Sequence, residues 1–254
     1  MAADTTLART KAFYDGYWPK NVPNYEKTRE HVREIVPDRL YKRALDGGCG
    51  TGVCSMALSE IADEVVAFDL STGSLRTAQQ LARQLGIDNV RFENGSLLGI
   101  PFPDSSFDLV FSWGVIHHTP DPIRALDELV RVLEPGGTLV LAVYLKTPLM
   151  YVHEAIRFAC LRIPKRYRRP IIRSVANLVR IAERLGKRTN VRDDNPLIES
   201  QVEDWYFVPE KHFYSIKEMR RLFRERGLTY EVVCEQTGRL RSSSNFVARG
   251  QRIK

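Results

Sequence analysis

The stretch ALDGGCGTGVCSMALSEI, residues 44–61, constrains the fold of this chain more than any other. A strand-like apolar lead meets three alternating glycines, Gly48, Gly50 and Gly52, and a helical pattern follows at once. Such a strand, turn and helix opens a parallel sheet with crossover helices. Residues 43–145 continue the alternation, with strands expected at RALDGG, VVAFD (65–69), VRFEN (90–94), FDLVFSW (107–113) and TLVLAVY (138–144). Between the last two, Pro122 suits a first helical turn, and Ile123, Leu126, Leu129, Val130 and Leu133 share a stripe that EPGG (134–137) then stops. Farther on, Ser215 and Glu218 have capping-box spacing in a helix ending at Gly227. TYEVVCEQ and NFVARG then read as a closing antiparallel pair. At 254 residues and 43% hydrophobic, the chain is long enough for one large core, and one α/β domain with an insertion is the expectation.

The glycine loop sorts the possible ligands. A triphosphate loop needs a Lys after its last glycine to neutralise phosphate, and Val53 stands there instead. In the dinucleotide fingerprint counted from Gly48, Val53 occupies the third glycine's place, which leaves NAD or FAD as a second reading. Asp46, Gly48, Gly50 and Gly52 suit a nucleoside that carries an ammonium group. Glycines let the backbone approach the ligand, and a carboxylate at the strand end attracts positive charge. Asp69 closes the next strand, where a carboxylate accepts both ribose hydroxyls.

With LDGGCGTG, Asp69 in VVAFDLS, GIPFPDSSFDLVFSWGVIHH and LVRVLEPGGTLVLAVY, the chain resembles the class I S-adenosylmethionine-dependent methyltransferases, specifically the group related to ubiquinone and menaquinone biosynthesis. The resemblance covers residues 43–145, and more loosely 212–250. It implies a Rossmann-like fold, a mostly parallel seven-stranded sheet with helices on both faces and a helical insertion after the fifth strand. It also implies S-adenosylmethionine as cofactor, with the glycine loop against its methionine and ribose. Asp69 and the adjoining Leu70 would lie at the ribose, and Trp113, ending the fourth strand, at the methionyl side. Where the family commonly has an Asp after the third strand, this chain has Ser96, so Ser96 and Leu97 are the expected adenine contacts.

Methyl transfer is an in-line displacement at a sulfonium carbon, so the protein mainly positions the nucleophile and excludes water. His117 and His118 follow the fourth strand and are the candidates for a base or for positioning, with hydrogen bonding inside the IHHTPDP turn as the structural alternative. Tyr14, Tyr17 and Trp18 are expected to close over the cofactor, as in relatives.

Three units follow: an N-terminal helical cap (1–40), a core (41–145 and 215–254), and a basic helical insertion (146–214) emerging over the site as a substrate lid. Residues 157–192 hold twelve Lys and Arg against one acid, Glu183, a local charge of +11 in a chain of net +7. Within them a helix is expected from Pro170 to Leu185, stopped by Gly186. Its apolar stripe is Ile171, Ile172, Val175, Leu178, Val179, Ala182 and Leu185, opposite Arg173, Asn177, Arg180 and Arg184. Such a helix packs as a lid, lies on an anionic membrane or follows nucleic acid. Peripheral membrane contact through it is the expectation, with nucleic acid the lesser one. Tyr144, Tyr206, His212 and Tyr214 are expected at the acceptor pocket.

The expected activity is methyl transfer to an oxygen or nitrogen of a small or lipid-like acceptor. The alternatives are a tRNA methyltransferase, favoured by SWGVIHH and RVLEPGG, and a cofactor-binding partner protein without catalysis. Cys49, Cys54, Cys160 and Cys234 lack metal-ligand spacing and read as free buried thiols, with no metal. No apolar run reaches eighteen residues and no signal peptide is evident, so the expected location is cytoplasmic.

Overall fold

The computed structural model describes residues 2–17, 22–148, 150–184, 198–236 and 245–253. Two helices, α1 (Ala2–Tyr17) and α2 (Tyr25–Ile35), precede the sheet. Its parallel strands are β1 (Tyr41–Gly47), β2 (Ala62–Asp69), β3 (Val90–Asn94), β4 (Phe107–Trp113) and β5 (Leu133–Tyr144), with crossover helices α3 (Val53–Leu58), α4 (Thr72–Leu85) and α5 (Pro122–Val132). Three helices follow β5: α6 (Met150–Leu161), α7 (Lys165–Arg184) and α8 (Ile198–Tyr206). Helix α9 (Ile216–Glu225) and the strands β6 (Glu231–Gln236) and β7 (Asn245–Gln251) complete the seven-stranded order β3-β2-β1-β4-β5-β7-β6, with β7 antiparallel to both neighbours.

Apolar side chains on both faces of the central strands form two buried clusters, one around Leu45, Val110 and Leu139 and one around Ala44, Phe111 and Val140. Local sequence sets the helix starts. Ser71 caps α4, Asp121 caps α5 ahead of Pro122, and Ser215 with Glu218 forms the capping box of α9. Between β1 and β4 the chain changes its direction of travel across the sheet, which opens a crevice at the strands' carboxyl ends.

Several local expectations change in the folded chain. Helix α5 ends at Val132, just before EPGG, but EPGG already belongs to β5, which begins at Leu133 paired with Phe107, with a register shift before Leu109. Ile123 is exposed, and Ala125 joins Leu126, Leu129 and Val130 on the buried side of α5. Pro170 lies inside α7, not at its start; the turn begins at Pro164, whose carbonyl accepts from the Tyr167 amide. The face of α7 that packs against α8 centres on Ile172 and Ala176, so Leu178 is left 66% exposed. Leu185 and Gly186 lie outside the described residues. All four cysteines are free, yet only Cys49 is fully buried.

Candidate active site

The glycine loop is shaped by the residues beneath it. The Gly48 and Cys49 amides both donate to the Phe68 carbonyl. Gly48 has φ +84°, and a Cβ there would stand 2.3 Å from Val115 Cγ2. Gly52 has φ +75° at the start of α3, where a Cβ would stand 2.8 Å from Ala78 Cβ, so this glycine lets α3 pack on α4. Asp46 is 1% exposed and accepts a 2.6 Å hydrogen bond from Ser55 Oγ. Burial pushes its carboxyl up to about 7, against the Ser55 bond.

Asp69 ends β2. One carboxylate oxygen accepts from the Gly50 amide at 2.8 Å and the other from the Ser71 amide at 2.7 Å. A carboxylate has about four acceptor sites, so two remain for a ribose diol. Burial raises its pKa while these two amides oppose the shift.

Asp69 lines a cavity of about 220 Å³ at the strand ends, together with Gly48, Leu70, Ser96, Leu97 and Trp113. Helix α1 forms its roof with Leu7, Thr10, Lys11, Tyr14 and Tyr17, which recur at helical spacing. The far wall holds His117, His118, Tyr144, Asp204 and Asn245. A larger cleft, about 1030 Å³, opens between α1 and α7 with α8 and shares Tyr17 with the cavity.

The far wall is rich in polar groups. Tyr144 Oη donates to Asp204 Oδ2 at 2.9 Å, and Tyr14 Oη donates to Oδ1 at 3.4 Å. Burial, then the charge of Asp204, keeps both phenols protonated. His118 Nδ1 meets the Glu210 carbonyl at 2.8 Å, which assigns the proton to Nδ1 and leaves Nε2 as an acceptor. Burial drives His118 down to about 4, and His117 also falls well below its ordinary value through burial and then the charges of His118 and Lys211. Both imidazoles are neutral at pH 7. Both ring nitrogens of His117, Asn245 Oδ1 and Thr10 Oγ1 are buried without a hydrogen-bond partner among the described residues. Four orphaned polar atoms on one cavity call for a polar ligand.

The fold thus brings eleven expected residues to one cavity: Gly48, Asp69, Leu70, Ser96, Leu97, Trp113, Tyr14, Tyr17, His117, His118 and Tyr144. Asp46, Gly50 and Gly52 stand behind it and support the loop. Tyr206 bonds His153 Nδ1 at 2.8 Å, the His212 amide donates to the His117 carbonyl, and Tyr214 bridges to Leu145, just past β5. These three are not among its lining residues, and Trp18 lies outside the described residues. Sequence reasoning missed Asp204. It sits in IESQVEDWY among other acids, and nothing local distinguishes it.

Residues 45–141 match a family model described as a methyltransferase domain. Over those residues the chain carries a methyltransferase domain. It is 37% identical over 117 residues to a demethylmenaquinone methyltransferase of Geobacillus kaustophilus, covering 45% of this chain and 50% of that protein. It is 30% identical over 141 residues to the 27-O-demethylrifamycin SV methyltransferase of Amycolatopsis mediterranei, covering 53% and 52%. The chain spans about half the length of the curated relatives it matches. The YcgJ protein of Bacillus subtilis shares the fold, with a TM-score of 0.60 at 17% identity over 91% of this chain and all of that one. The methyltransferase match ends before α6, so α6, α7 and α8 lie outside it.

Proposed function

We propose that the chain transfers a methyl group from S-adenosylmethionine to an oxygen or nitrogen of a small, lipophilic acceptor. The observation that carries this reading is that one cavity joins Asp69 and the glycine loop at one end to the Tyr144–Asp204 pair and His117 at the other. When bound, the cofactor would supply an activated methyl on a sulfonium; the acceptor's lone pair would form the new bond to that methyl carbon and the C–S electrons would leave with sulfur as the neutral thioether. The chain's own residues hold the ribose (Asp69), orient the nucleophile (His117, Asn245) and receive its proton. Asp204 is placed for that last task, since its carboxylate already accepts from the Tyr144 and Tyr14 hydroxyls at the cavity wall. The 3.4 Å bond from Tyr14 is the longer of its two, and an acceptor hydroxyl or amine would take that place.

Aromatic walls from Tyr14, Tyr17, Trp113 and Tyr144 favour an apolar acceptor body. The relatives named for demethylmenaquinone and 27-O-demethylrifamycin SV lend support to a small-molecule acceptor. The domain limits, with 1–40 as cap and 146–214 as lid, belong to the same proposal.

Calorimetry and an assay for S-adenosylhomocysteine release over a panel of phenols, alcohols and amines test it. The protein should bind S-adenosylmethionine and S-adenosylhomocysteine and leave NAD unbound. Asp69→Ala should weaken cofactor binding by about 1.5–3 kcal/mol, the scale of hydrogen bonds to a charged group. Unchanged affinity would remove Asp69 from the site.

A further inference from the structure

Helix α6 is amphipathic the wrong way round. Tyr151, Val152, Ala155, Ile156, Phe158 and Ala159 are its exposed residues, all apolar. At 3.6 residues per turn they cover one continuous arc of roughly 160°. The large ones are well exposed: Tyr151 is 67% exposed, Phe158 63%, Val152 53% and Ile156 43%. Its polar residues face inward. His153 bonds Tyr206, and Arg157 pairs with Glu154 and donates to the Val208 and Pro209 carbonyls. With its charges satisfied inside, the helix presents only hydrocarbon and aromatic surface outside, an arrangement that water alone does not favour.

The flank of this face says what covers it. From residue 155 to 182 the sequence holds eight basic residues and no acid. Arg162 lies 3.4 Å from the Phe158 ring centroid, at the end of the apolar arc, and Arg166 stacks 4.6 Å from that of Tyr167. Arg162 and Arg166 are exposed at the α6–α7 turn, while Arg169 and Arg173 line the cleft toward α1. A face of aromatic and aliphatic side chains edged by arginines matches the boundary of an anionic bilayer, with rings at headgroup depth and guanidinium groups against phosphates. Self-pairing of the same face would set one cluster of arginines against another. Among the described residues no helix is long and apolar enough to cross a membrane, so the contact would lie in the interface.

We infer that the outward face of α6, with Arg162 and Arg166 of the α6–α7 turn, docks the protein on an anionic lipid surface. This places the membrane contact on α6 and not on the 170–185 stripe, where, among the described side chains, Ile172 is buried, Ile171 and Val175 are half-buried and only Leu178 is exposed. It stands apart from the methyltransferase reading, because no residue of the α6 face lines the cavity. The inner side of α6 holds the segment that carries Glu210, the partner of His118, so docking would set the cavity wall close to the bilayer.

The test is flotation of the full chain with vesicles of phosphatidylcholine alone and of phosphatidylcholine with one part in three phosphatidylglycerol. The chain should float with the anionic vesicles, less so as salt rises. Tyr151→Ser, Val152→Ser and Phe158→Ser together should weaken that partition by roughly tenfold or more, at an unchanged melting temperature. Arg162→Gln and Arg166→Gln together should weaken the preference for phosphatidylglycerol. Failure of the wild-type chain to float, or full flotation of both the serine and the glutamine variants, would overturn the inference. So would light scattering that shows a dimer which the serine variant dissociates, because a second copy would then cover the face.

Discussion

The Asp15 carboxylate of α1 accepts a 2.6 Å hydrogen bond from the hydroxyl of Ser71, the residue that caps α4, and a second from the Gly73 amide at 3.2 Å. One acid thereby fastens the roof of the cavity to the edge of the core. Asp15→Ala should cost about 1 kcal/mol of local stability and raise hydrogen exchange throughout α1, while β1, β4 and β5 stay protected. Burial acts to raise the Asp15 carboxyl, but the bonds from Lys11, Ser71 and Gly73 outweigh it and hold the pKa low. A depressed folded-state pKa stabilises above the ordinary carboxylate value and is lost as pH falls through the folded one. The roof should therefore loosen in acid in the wild type, and exchange in the Ala variant should lack that pH dependence.

Tyr144 and Asp204 should behave as one unit. Tyr144→Phe and Asp204→Asn should each lower kcat by roughly a hundredfold and leave cofactor affinity unchanged. The double variant should lose little beyond either single one, since the first change already breaks the pair. Full additivity in steady-state kinetics would assign them separate roles.

Lys211 is 6% exposed, with its ammonium 3.3 Å from the Trp205 ring centroid. Burial pulls its pKa down to about 7, against the charges of Asp204 and Glu154. The unfolded chain therefore holds this proton up to about 10.4 while the folded chain releases it near 7. Between those values the unfolded state binds more protons, so the Lys211 contribution to stability rises with pH. Urea denaturation should show that rise in the wild type and a flatter profile in Lys211→Met.

Gly52 and Gly86 both have positive φ, but only Gly52 has a neighbour in the way. Gly86→Ala should cost about 1–2 kcal/mol for the left-handed backbone alone. Gly52→Ala adds a contact with Ala78 Cβ at 2.8 Å and should cost about 1–3 kcal/mol more. Thermal melts of the two variants separate the effects.

The alternation of parallel strands with helices, the first turn of α5 at Pro122, the capping box of Ser215 with Glu218 and the place of Asp69 at a strand end were legible in the sequence, because each depends on neighbours within a few residues or on a period of two or 3.6. Only the tertiary structure decided which polar groups meet. Tyr144 and Asp204 are sixty residues apart, and no local pattern marks one acid of α8 as the one that folds inward. The same holds for Asp46 and Gly52, whose spacing suggested ligand contact and whose packing against Ser55 and Ala78 makes them supports of the loop. In α6 the usual rule reverses, because His153, Glu154 and Arg157 find buried partners and turn its apolar arc outward. A side chain's burial is set by whatever the rest of the chain brings beside it, and that is not written at its own position.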